Sequence, residues 1–143
     1  MDSDFMEYVS FLIEKHPEER IYILPRSSAE EVARKLICHF SGVSHTQILA
    51  RSFQTGDHKE LSKAASWLKN IQLFIDPSPT MNFKDLPEKL KKTAPGRVLI
   101  EDAARIRTSG NLLPRLKRLG KRLNIQITIF QPAKQPPKEG EGQ

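Results

Sequence analysis

Arg97-Val98-Leu99-Ile100-Glu101-Asp102 is the stretch that decides the fold: a short apolar run, rich in β-branched residues, entered through the turn Ala94-Pro95-Gly96 and closed by two acids. A run of this length bounded by turn residues reads as a strand covered on both faces. Successive side chains on a strand point to opposite faces, so Glu101 and Asp102 are not a paired acid and base. The same signature recurs at Ile21-Tyr22-Ile23-Leu24, at Ile71 to Ile75, and at Ile125 to Phe130. Asp76-Pro77-Ser78-Pro79 stops the second of these, because two prolines forbid continued pairing.

Between the strands the apolar spacing turns helical. Residues 3 to 15 place Phe5, Val9 and Leu12 on one face, with Pro17 ending the pattern. Ser28 followed by Glu31 is a capping box that opens a helix with Ala29, Val32, Ala33, Leu36 and Phe40 inward and Gly42 closing it. Ser44 with Gln47 and Asp57 with Glu60 repeat the capping pattern, the latter before Leu61, Ala64, Ala65 and Leu68, with a connector over Arg51 to Gly56 between them. A further helix is expected within 82 to 93, with Phe83, Leu86 and Leu90 inward and Pro87 tolerated only in its first turn. Residues 112 to 123 carry the apolar stripe Leu112, Leu116, Leu119 and Leu123, and Arg115, Lys117, Arg118, Lys121 and Arg122 fill the rest of that helix. Strands alternating with helices at these lengths predict an α/β fold with a mostly parallel sheet covered on both faces.

The chain has 143 residues, a formal net charge of +6, 28% charged and 38% hydrophobic residues. That predicts one globular domain over 1–131, followed by a tail, 132–143, whose Pro, Gly, Lys and Glu cannot bury enough apolar surface to offset ordering entropy and which is expected to be disordered. No run is apolar enough to span a bilayer and the first residues lack a secretion-signal pattern, so a soluble cytoplasmic protein without membrane contact is expected. Cys38, the single cysteine, excludes an internal disulfide and a thiolate zinc cage and is expected to be a small buried apolar side chain beside Phe40. His16, His39, His45 and His58 fall on different elements, so no metal site is expected. Ser27 and Ser28 read as helix-cap residues rather than nucleophiles, and Trp67 and Phe74 as packing residues. Residues 84 to 122 hold twelve Lys or Arg against four Asp or Glu, so the positive charge belongs to one part of the chain. Such asymmetry suits an anionic partner, or else a solvated helix face.

From Tyr22 to Lys134 the chain resembles the C-terminal, RecA-like motor domain of the DnaB family of hexameric replicative helicases. The resemblance rests on the order and spacing of several segments: the strand leading to Ser27-Ser28-Ala29-Glu30-Glu31, Ile48 to Gly56 before a capped helix, Leu73 to Pro79, the strand ending at Asp102, and Leu116 to Ile125 leading to Ile129-Phe130-Gln131. It implies a RecA-like, P-loop NTPase-type three-layer fold. Under it Asp102 takes the place of the magnesium-holding Walker B aspartate, and Gln131 that of the glutamine that senses the γ-phosphate. Arg26 stands where the family has its catalytic glutamate, which inverts the charge required to activate water. No Gly-x-x-x-x-Gly-Lys-Ser/Thr motif occurs in the 143 residues, and the hairpin bearing the family's arginine finger is replaced by Pro132 and the tail. The loop after Asp102 is shorter than in the family, with Ala103 and Arg105 in place of its usual aromatic and polar residues. Asp102 is alternatively a strand-end acid satisfied by local hydrogen bonds.

These departures predict a chain that does not hydrolyse ATP, with no cofactor beyond whatever weak hold on ATP and magnesium the remaining positions retain. The expected role is binding or regulation in DNA replication, through contact with a replicative helicase or another replication protein. A second expectation is a DNA-binding accessory module that meets phosphates with Arg105, Arg107, Arg115, Lys117, Arg118, Lys121 and Arg122. A third is the remnant of a split or decaying helicase gene.

Overall fold

The computed structural model describes residues 3–44, 46–47 and 56–130. In chain order the elements are α1 (Ser3–Lys15), β1 (Ile21–Leu24), α2 (Ala29–Ser41), α3 (Asp57–Lys69), β2 (Leu73–Ile75), β3 (Met81–Asn82), α4 (Leu86–Thr93), β4 (Arg97–Ile100), β5 (Ile106–Arg107), α5 (Leu112–Leu123) and β6 (Gln126–Ile129). Single 3-10 turns at Phe83–Asp85 and Ala103–Arg105 precede α4 and β5.

The main sheet has the order β2-β1-β4-β6, and every pair in it is parallel. Parallel neighbours require crossover helices, which here cover both faces. Alternation along the strands divides the core accordingly. Ile21, Ile23 and Leu99 pack with Phe5, Val9, Leu12 and Ile13 of α1 and with Val32 and Leu36 of α2. Tyr22, Leu24, Val98 and Ile100 face the other way, onto Leu86 and Leu90 of α4 and Leu116 and Leu119 of α5. β1 and the last three residues of β4 are buried on both sides, as their continuous apolar runs require. The α/β, three-layer arrangement expected from the sequence is therefore the one observed.

Local signals act largely as read. Ser28 Oγ accepts the N–H of Glu31 at 3.1 Å, and Gly42, at φ 81°, donates to the carbonyl of Cys38 in a left-handed cap that a side chain would strain. Ser44 and Gln47 form a reciprocal capping box: the Gln47 N–H donates to Ser44 Oγ at 3.0 Å, and the Ser44 N–H to Gln47 Oε1 at 3.1 Å. Pro87 sits in the first turn of α4, where its missing N–H costs nothing.

Other details differ. Gly56, at φ 91°, is the cap of α3, so Asp57 opens the helix from inside it and the Asp57–Glu60 pair is not a capping box. The strands are shorter than their apolar runs: Ile71 and Gln72 precede β2, Ile125 precedes β6, and Glu101 and Asp102 lie past β4. The sequence reading lacked the second, two-stranded parallel sheet of β3 and β5, with Met81 opposite Ile106 and Asn82 opposite Arg107. The expected connector over Arg51 to Gly56 lies, apart from Gly56, outside the described residues, as does the tail 132–143.

Candidate functional site at the carboxyl edge of the sheet

Parallel strands deliver their following loops to one edge of the sheet, the usual place for a ligand in open α/β folds. Here the loops after β1, β2 and β4 meet there and are tied together by buried polar groups. Glu101, buried just past β4, accepts the N–H of Arg26 at 2.7 Å, while its own N–H donates to the carbonyl of Leu24 at 2.9 Å. Its neighbour Asp102 turns the other way. Asp102 Oδ1 accepts the Ala104 N–H at 3.1 Å and so caps the 3-10 turn Ala103–Arg105. That local bond is the alternative the sequence left for this acid. Arg26 is exposed, and Gln131 lies outside the described residues.

Two groups organise the same edge, one that the sequence reading did not single out and one that it expected on phosphates. Asp76, only 1% exposed, accepts the hydroxyl of Tyr22 through Oδ2, the Lys89 ammonium through the same oxygen at 3.3 Å, and the Ser78 N–H through Oδ1 at 2.8 Å. Burial alone would raise its carboxyl, but the Tyr22 hydroxyl, Ser78 and the Lys89 charge outweigh that and hold it below its ordinary value. Burial pushes the Tyr22 phenol far up, and the adjacent carboxylate adds to the shift. The second group is Arg105, whose guanidinium donates to the carbonyls of Pro79 (2.6 Å), Ser78 (2.9 Å) and Ser27 (3.4 Å). It cross-links the loops that follow β1 and β2 to the one that follows β4. The Asp-x-Ser turn at 76–78 was a detectable signal for the first network; the partners of Arg105, 26 and 78 residues away, had none.

A magnesium nucleotide needs converging oxygen ligands and a cradle of backbone N–H groups. Among the described residues no three His, Cys, Asp or Glu side chains converge on a point. Asp102 offers one carboxylate with Oδ1 engaged, Glu101 is taken up by the Arg26 backbone N–H, and the guanidinium of Arg105 is held on the carbonyls of the adjoining loops. This donor set does not fit the group.

The expected basic residues are split. Arg105 is spent on carbonyls. Arg107 and Arg115 line one cleft with Lys84, Asn82 and Ser109, a space of about 410 Å³ with the Arg115 guanidinium 6.0 Å from the Phe83 ring centre. Lys84 had not been included. Lys117 and Lys121 line a different groove, beside Gly96 and Gln126. Lys117, Arg118, Lys121 and Arg122 are exposed on α5, whose opposite face buries Leu116, Leu119 and Gly120. No carboxylate pairs with these four or with Arg107 among the described residues.

No protein-family model and no curated protein sequence matches the chain. Solved structures do match its fold. A DnaB-like replicative helicase, in a structure concerned with its interactions with primase, superposes with a TM-score of 0.74 over 87% of this chain at 15% identity. A second solved structure, of an ATPase domain, superposes with the same TM-score of 0.74 over 87% of the chain at 16% identity. The fold is thus the RecA-like fold of helicase ATPase domains. The chain spans 36% of the first structure's length and 52% of the second's. No described helix is long and apolar enough to cross a membrane.

Proposed function

We propose that this chain is a helicase-like domain that works by binding rather than by hydrolysing ATP, and that it regulates DNA replication through contact with a replicative helicase or another replisome protein. The observation that carries this reading is the occupancy of the sheet's carboxyl edge by the chain's own groups. Asp102 caps its own 3-10 turn, Arg105 bridges three carbonyls, and Arg26 brings a cation to the position that the resemblance gives to a base. A charge of that sign opposes proton abstraction from water. The shared fold supplies analogy and no more. Co-sedimentation of the purified chain with the host's replicative helicase tests it: association at micromolar concentration supports the role, and none at that concentration counts against it.

A second reading, binding to DNA phosphates, is favoured by the unpaired cations of α5 and Arg107. If about five of them meet phosphates, log K falls against log salt with a slope of roughly −4 to −5. Salt-independent or undetectable affinity at low ionic strength removes this option.

A further inference from the structure

The parallel pairing of β3 with β5 sets Met81 opposite Ile106 and Asn82 opposite Arg107. Met81 and Ile106 are buried, so the period-two alternation of a strand turns Asn82 and Arg107 outward together. Two residues further along each segment come Lys84 and Ser109, both exposed, and Gly110, at φ 87°, then turns the backbone toward α5. That helix returns Arg115 across the Phe83 ring, 6.0 Å from its centre. Three cations from three separate segments thus ring one concave space of about 410 Å³, and no acid lines it.

The fold itself does not engage these groups. The side chains of Lys84, Arg107, Asn82 and Ser109 make no hydrogen bond or ion pair among the described residues, and Arg115 has only the Phe83 ring. Arg97, Lys89 and Arg105 are the contrast, since the chain holds them on Glu19, on Asp76 and on loop carbonyls. Like charges gathered without an acid repel one another, and a bound anion relieves that repulsion.

Shape separates this cleft from the exposed cations of α5. Lys117, Arg118, Lys121 and Arg122 follow the convex surface of one helix, which suits a line of phosphates. A cleft ringed from three sides suits side chains that project from an extended peptide, with the Asn82 amide and the Ser109 hydroxyl as neutral partners for its main chain. The Phe83 ring has the Arg115 guanidinium over its face and offers no open platform for a stacked base.

We infer that the cleft between β3, β5 and the start of α5 is the docking site for an acidic segment of another protein, whose Asp and Glu carboxylates pair with Lys84, Arg107 and Arg115. Guanidinium forks meet carboxylates through two parallel hydrogen bonds, and Lys adds a point charge. The inference names the contact surface of the binding role proposed above and rests on that reading only in taking the partner to be a protein.

The test uses the full chain and a fluorescent peptide of alternating Asp and Glu, followed by anisotropy, beside the same peptide with Asn and Gln in their place and a single-stranded oligothymidylate. Saturable binding of the acidic peptide is expected, and none of the amide form. Lys84→Gln and Arg107→Gln should each weaken binding about threefold and together roughly tenfold, the scale of exposed ion pairs. Lys91→Gln with Lys92→Gln removes the same charge from α4 and should change binding by less than about twofold, because salt screens charges outside the cleft. All four side chains are exposed, so these variants keep the fold. No binding, equal binding of the amide peptide, or equal weakening by the α4 pair overturns the inference. Tighter binding of the oligothymidylate that the Lys84 and Arg107 changes together abolish overturns it in favour of nucleic acid. Helicase association unaffected by those two changes would refute this surface while leaving the proposed function standing; peptide binding without helicase association would support the surface and count against that function.

Discussion

Replacing Tyr22 by Phe removes one oxygen from the middle of the fold and keeps the ring that stacks on Phe74, 5.0 Å away. What is lost is the hydroxyl donor to Asp76, a carboxylate 1% exposed that keeps the Ser78 N–H at 2.8 Å and Lys89 at 3.3 Å. A hydrogen bond to a charged group contributes about 1.5–3 kcal/mol, and a buried acceptor left short of donors sits toward the upper end. At roughly 3–5 °C per kcal/mol for a domain of this size, melting should fall by about 5–15 °C. The pH dependence identifies the cause. Asp76 has its carboxyl lowered in the folded state, so its contribution is present above the ordinary carboxylate value of 3.8 and is lost as pH falls through the folded value. Tyr22 has its phenol raised, so above the ordinary value of 10.0 the unfolded chain gives up a proton that the folded chain keeps, and stability declines as pH rises. The variant lacks the second effect and the Tyr22 part of the first, while Ser78 and Lys89 still act on Asp76. The difference between wild type and Tyr22→Phe, measured by urea unfolding from about pH 3 to 11, should therefore be widest near neutrality and shrink at both ends. A difference below about 0.5 kcal/mol at neutral pH, or one independent of pH, refutes the network.

Gly120→Ala should destabilise the chain, although Gly to Ala inside a helix ordinarily stabilises it by about 1 kcal/mol. The added Cβ would stand 2.9 Å from the carbonyl oxygen of Ile125, a residue whose N–H is itself bonded to the Gly120 carbonyl at 2.8 Å. Crowding of about 1–3 kcal/mol then leaves a net loss of roughly 0–2 kcal/mol, and a gain in chemical denaturation would contradict the close packing of α5 on β6. Arg105→Met should speed amide exchange in the loops after β1 and β2 and leave the salt slope of any DNA binding unchanged, because that guanidinium is already committed to carbonyls. Arg118→Ala, by contrast, should reduce the magnitude of the slope by about 1.

The main sheet was legible because each of its strands is a short apolar run closed by a turn, and a run covered on both faces needs no partner to be recognised. Ser28, Gly42 and the Ser44–Gln47 pair were legible for the same reason: capping is chemistry between residues a few positions apart. Asp57 misled because Gly56, with its left-handed backbone, took the cap one residue earlier. β3 and β5 have two residues each, too few to show any period. The site was legible only in part. Asp102 could be placed at the end of a strand, but whether its oxygens face a ligand or its own backbone depends on the turn at Ala103–Arg105. Tyr22 with Asp76, and Arg105 with Ser27, join residues 54 and 78 positions apart, and only the folded sheet brings those loops together. Lys117, Arg118, Lys121 and Arg122 lie exposed opposite the apolar stripe of α5, as that stripe implied, whereas Arg115 of the same helix meets Arg107 and Lys84 beside the small sheet that the sequence did not reveal.

Phosphate release from ATP and magnesium by the purified chain, with and without single-stranded DNA and beside Asp102→Asn, bears most directly on the proposed binding role. The expected result is no turnover above the level of the variant under any of these conditions. Turnover by the wild-type chain that Asp102→Asn abolishes would show a working hydrolytic centre and contradict it.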